Sequence, residues 1–140
     1  MKLINPSVEL LHQGPGIQGM YEMIELCGKT SYKSPFKGGE EAKNFVQARI
    51  NEGHLAVLEF GQVYLKVHKD AIALFKYSPY ASVVKFGDYY YVTTNFRFIK
   101  ENNLEDVMND CWTDKTEFHK PIYCAKVITD RGVSHKKFVA

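Results

Sequence analysis

His54 and Glu59 are the two side chains whose types and spacing come nearest to chemistry in this sequence. They sit in "EGHLAVLEFG", the histidine directly after Gly53 and the carboxylate among apolar neighbours. An imidazole changes charge near neutral pH, which suits proton transfer or metal ligation. Placed just past a helix-ending glycine, it equally suits an exposed ring that caps the last carbonyls. A carboxylate enclosed by Leu58 and Phe60 must be hydrogen-bonded or ion-paired if it is buried. No HExxH, no second histidine within four residues and no cysteine pair accompanies His54, so the sequence predicts no metal site.

Other groups were weighed in the same way. Arg131, His135, Lys136 and Lys137 gather potential cations near the C-terminus. They read either as a solvated helix face or as a contact for phosphate at a helix N-terminus. "GPGIQGM" at Gly14–Met20 is glycine-rich, but it has neither the GxGxxG order nor the Lys-Ser/Thr of a phosphate loop, and it reads as a turn feeding a helix. Cys27, Cys111 and Cys124 form no zinc spacing and no even framework. They read as buried small hydrophobes in a reducing, cytoplasmic protein. Ser34, Ser78 and Ser134 stand in no nucleophile-elbow context.

The elements that would position these residues are mixed strands and helices. Lys2–Leu11 is expected as an edge strand, since Pro6 disfavours a central one. Met20–Cys27 places Met20, Ile24 and Cys27 on one helical face, and Lys33–Gly39 is a loop dense in breakers. Glu40–Glu52 is the clearest helix: Ala42, Phe45, Val46, Arg49 and Ile50 follow the 3.6-residue period and Gly53 ends it. A short element precedes a strand from Gln62 to His68, with Val63, Leu65 and Val67 alternating. Ser82–Phe86 and Tyr89–Phe96, joined at Gly87–Asp88, read as a hairpin. Asn102–Asn109 is expected to be helical and Ile122–Asp130 a core strand. Asp130 reads as the N-cap of a final amphipathic helix carrying Val133, Lys136, Lys137 and Phe138.

The fold class expected is therefore α/β, of the α+β type. The bulk composition bounds it further. The 140 residues fit one domain, 45% are hydrophobic, and 18 basic against 16 acidic groups leave a net charge of +2. That balance gives no nucleic-acid signal, and no apolar run approaches the length of a membrane span. Tyrosines and phenylalanines number nine each. In "YYYVTTNFRF" they alternate along a strand, as sheet or subunit packing would place them, with Arg97 a lone basic interleaver.

Three segments in order also resemble a known family. "ELCGKTSYKS" (Glu25–Ser34), "NEGHLAVLEFGQVYLKV" (Asn51–Val67) and "VITDRGVSHKKFVA" (Val127–Ala140) are similar to the N-terminal half of the flavin-dependent thymidylate synthases. The resemblance implies a mainly antiparallel curved sheet flanked by helices, incomplete here relative to the full family fold. Residues 1–140 would be the N-terminal part of such a synthase domain. The parent would use FAD and NADPH to methylate dUMP to dTMP with methylenetetrahydrofolate, as a homotetramer with shared active sites. His54, Ala56 and Glu59 would fall at the cofactor, with Ala56 where the family has a polar residue and Phe60 where it has histidine. The family's arginine-rich motif would begin near Ala140, so this chain is expected to be inactive alone. A different expectation stands beside it: a non-catalytic structural or protein-interaction domain that oligomerises through its aromatic strands.

Overall fold

The computed structural model describes residues 6–31, 34–76, 78–120, 122–129 and 131–139. Strand β1 (Ser7–Leu11) leads into helix α1 (Gly16–Ser31), and helix α2 is Gly39–Asn51. A 3-10 turn at Leu55–Phe60 delivers the chain to β2 (Gln62–His68), and a second one covers Lys69–Leu74. The hairpin β3 (Ser82–Phe86) and β4 (Tyr89–Asn95) is followed by short helices α3 (Phe96–Glu101) and α4 (Glu105–Cys111). Strands β5 (Ile122–Thr129) and β6 (Gly132–Val139) close the order.

The α/β expectation holds, with antiparallel strands flanked by helices, but the strands form two sheets and not the one expected. Their orders are β1-β5-β6 and β2-β4-β3. The physical reason lies on the outer side of β2, where its hydrogen-bonding groups are already occupied. Gln13 exchanges two hydrogen bonds of 2.8 Å with the main chain of Gln62. The Thr113 amide donates to the Tyr64 carbonyl at 2.9 Å, and Trp112 bridges Leu65. A further strand has no ladder left to join there.

Local chemistry explains most of the elements. In α1, Met20, Ile24 and Cys27 lie on the buried face, as their spacing requires. In α2, Ala42 and Val46 point inward and Glu40 and Glu41 occupy the first turn. Gly53, at φ 76°, supplies the left-handed residue that ends the helix. The β3–β4 hairpin turns at Gly87–Asp88, with Phe86 opposite Tyr89. The main core lies between the β2-β4-β3 sheet and the helices, with Ile24, Leu58, Leu65, Val92, Phe75 and Ile99 fully enclosed.

The final segment corrects an expectation. Gly132–Val139 is a strand, not a helix, and pairs with β5 from Thr129↔Gly132 to Ile122↔Val139. Gly132 takes φ 111° at the turn, and the Arg131 amide donates to Thr129 Oγ1 at 3.2 Å. Valine and phenylalanine favour this pleated ladder, whereas an isolated short helix would lack cooperative support. Asp130, the expected N-cap, lies outside the described residues, as do Lys2 to Pro6's predecessor Asn5, Lys33 and Ala140. The expected Tyr89–Phe96 strand ends at Asn95, which caps helix α3 from Phe96 onward.

Among the described residues, no helix is long and apolar enough to cross a membrane.

Candidate functional site

Glu59 lies in the last turn of the 3-10 segment, and its carboxylate meets Arg97 of α3 at 3.2 Å. Two local features fix this meeting. The Phe96 amide donates to the Gly61 carbonyl at 3.0 Å, tying the start of α3 to the end of the turn. Asn95 then caps α3, its Oδ1 accepting from the Phe98 amide at 3.0 Å. Arg97 also reaches Glu101 one turn on, Nε to Oε1 at 2.8 Å. The hydrogen bond that Arg97 donates to Glu101 comes first, with Glu59 adding to it, in pushing the guanidinium above its already high ordinary pKa. Arg97 is thus a cation clamped between two carboxylates.

This clamp borders two adjoining cavities. One, of about 520 Å³, is lined by Glu59, Arg97, Glu101, Asn95, Tyr80 and Phe98 among others. Its neighbour, of about 480 Å³, shares Glu59, Tyr80 and Asn95 and adds Gln62, Thr93 and Lys120. Thr93 is only 1% exposed, and its hydroxyl has no hydrogen-bond partner in the structure. A buried orphan hydroxyl is costly unless something fills the role of partner. Two carboxylates face Arg97 and Lys120, so the charges balance. The lining offers donors and acceptors to a polar molecule, and it contains no imidazole or thiol among the described residues.

The three residues expected at a cofactor are not drawn together around these cavities. Glu59 lines both. His54 is 61% exposed, with Nδ1 3.3 Å from Glu52, and Ala56 is exposed. Neither lines the two cavities. The helix-capping role expected of the His54 ring belongs instead to its main-chain amide, which donates to the Arg49 carbonyl at 2.9 Å. The pairing required of Glu59 is present. Arg97 and Thr93 were missed as site residues. The Arg97–Glu101 spacing, four residues apart behind an Asn, is the signal that marks α3 and its charge pair.

The basic cluster near the C-terminus lies on a strand and its turn, so no helix N-terminus accompanies it. Among the described residues, no group of three or more His, Cys, Asp or Glu could hold a metal ion.

No family model, no curated protein and no solved structure matches this chain. The expected description as a thymidylate synthase, a flavoprotein using FAD and NADP, and a methyltransferase therefore does not stand. The short sequence segments that resemble that family are not accompanied by any match along the chain.

Proposed function

We propose that this chain is a protein-interaction domain that self-associates through the edge of its aromatic sheet. The observation that carries the reading is the contrast between the two edges of the β2-β4-β3 sheet. The β2 edge is occupied by Gln13, Trp112 and Thr113. Among the described residues no strand pairs with the outer side of β3. An open strand edge is a template for another strand, and soluble domains ordinarily blunt it.

The side chains along that edge favour a second copy as the occupant. Val84 and Phe86 are 38% and 58% exposed. An antiparallel, two-fold pairing centred on Val84 would set Val84 against itself, Ser82 against Phe86 and Val83 against Lys85. No charge then faces its own copy, which is the condition for a self-complementary strand. Two three-stranded sheets would become one continuous sheet. Three thiols with no disulfide suit a reducing compartment such as the cytoplasm for this assembly.

Sedimentation of the full chain across micromolar concentrations tests the reading. The wild type should sediment as a dimer, and Val84→Lys, which sets two ammonium groups face to face, should sediment as a monomer with the same melting behaviour. A wild-type chain that stays monomeric throughout overturns it.

A second reading rests on Thr93. Thr93 lines the cavity shared with Lys120 and Asn95, and a small polar ligand there that reached its buried hydroxyl would supply the missing partner.

A further inference from the structure

Cys27 and Cys124 are separated by 97 positions in the chain, yet their sulfur atoms lie 3.5 Å apart. Cys27 comes from α1 and Cys124 from β5, and both are buried. With Met23 they form a satellite cluster, flanked by Leu11 and Phe60, through which the β1-β5-β6 sheet meets α1. Cys124 also lines a cavity of about 310 Å³ bounded by Leu11, Gln13, Pro15 and Asp114. One residue of the pair therefore borders a space large enough for a small molecule, while the other does not.

We propose that Cys27 and Cys124 form a peroxide-oxidised modification site, in which an intramolecular disulfide locks the β1-β5-β6 sheet to α1. The Cys124 thiolate attacks one oxygen of hydrogen peroxide, the O–O bond breaks, and the departing hydroxide takes a proton to become water. Cys124 is then a sulfenic acid. The Cys27 sulfur attacks the Cys124 sulfur and the S–O bond breaks. The thiol proton of Cys27 leaves with that hydroxide as a second water. Two thiols have lost two electrons and two protons, and one peroxide has been reduced to two waters.

The order of events follows from the surroundings. Cys124 lines the cavity and Cys27 does not, so Cys124 meets the peroxide first; the hydrogen bond to Cys124 and then burial push the Cys27 thiol above its ordinary pKa. The sulfurs have to close from 3.5 Å to the roughly 2 Å of an S–S bond. Cys111 is partly exposed and lies outside this cluster, which makes it an internal control. Closing so long a loop should raise the melting temperature by roughly 10 °C.

The test treats the folded full chain with hydrogen peroxide, then unfolds it in N-ethylmaleimide and measures intact mass and peptide map. The expected product has lost two hydrogens, takes up a single maleimide at Cys111, and yields a Cys27–Cys124 linked peptide. Its melting temperature is raised, and dithiothreitol reverses the change. Cys111→Ser should still form the link, while Cys27→Ala should lose it and let Cys124 run on to sulfinic acid. Three alkylated cysteines after peroxide, a link that includes Cys111, or sulfinic acid at Cys124 of the wild type would each overturn the proposal.

Discussion

Arg97 Nη1 lies 3.2 Å from Glu59 Oε2, a contact between residues 38 positions apart that joins the 3-10 turn to α3. Its counterpart contact with Glu101 is local, at 2.8 Å and one helical turn away. Both ion pairs are partly exposed, so Coulomb attraction is screened and side-chain ordering offsets much of it. A double-mutant cycle on Glu59→Ala and Arg97→Ala should give a favourable coupling that shrinks in about 1 M salt. It should be well below the loss expected at Glu25. A large coupling that resists salt would mean that the pair is sealed from water, contrary to its exposure.

Glu25 presents the opposite case, a carboxylate on the inner face of α1 with no exposed surface. Burial pushes its pKa up, but the bond from Lys29 at 2.6 Å, the Gly38 amide at 2.7 Å and the Lys29 charge together leave it below its ordinary value. Glu25→Ala strands the Lys29 ammonium and the Gly38 amide, and should cost about 3 kcal/mol in urea denaturation. Because the folded pKa is lowered, the contribution is full above the unfolded value of about 4.3 and is lost as pH falls through the folded one. The gap between wild type and Glu25→Gln should therefore narrow in acid. A gap that widens there would reverse the sign argued here.

Thr93→Val tests whether the orphan hydroxyl is a cost to the unliganded domain. Valine keeps the shape and the preference for a strand, and removes a buried group that has no partner in the structure. The variant should be more stable by about 1 kcal/mol, read from the urea midpoint. A loss of stability would show that the hydroxyl is already satisfied, and would remove the main support for a ligand in that cavity.

What was legible in the sequence was what repeats locally. Ala42 and Val46 share a helical face, and Val63, Leu65 and Val67 share a strand face, so α2 and β2 could be read with few errors. The 3-10 turn that carries Glu59 and the hairpin at Gly87–Asp88 were equally local. Arg97 was not legible as the partner of Glu59, because their contact depends on α3 folding back onto Gly61. Asn95 hid the start of α3 by following a run of aromatic strand residues. The last segment failed for a related reason: Val133, Lys136 and Lys137 fit a helical spacing, while Val133, His135 and Lys137 fit a strand equally well, and pairing with β5 decided between them. The division into two sheets was likewise set by groups that reach β2 from distant parts of the chain, the Gln13 side chain and the main chain at Trp112–Thr113.

His119 is the last of these long-range devices, and it titrates. Its Nδ1 accepts from the Thr116 amide at 3.0 Å, which places the proton on Nε2, and Nε2 donates to the Leu65 carbonyl at 2.9 Å. The ring also meets Tyr64 and Tyr91 edge-on. Burial pushes its pKa down, and the bond to Leu65 offsets part of that. A depressed histidine contributes stability that is full above the unfolded value of about 6.5 and is lost as pH falls through the lower folded value. The wild type should thus weaken as pH falls below about 6.5, and His119→Ala should lose that part of the pH dependence. The variant should also cost about 3 kcal/mol at neutral pH, since it strands the Leu65 carbonyl and the Thr116 amide. Hydrogen exchange at Thr113 and along β2 reads the same event locally: protection there should fall in the variant before it falls in α2. Equal loss of protection in both would mean that His119 supports the whole fold and not the edge of this sheet.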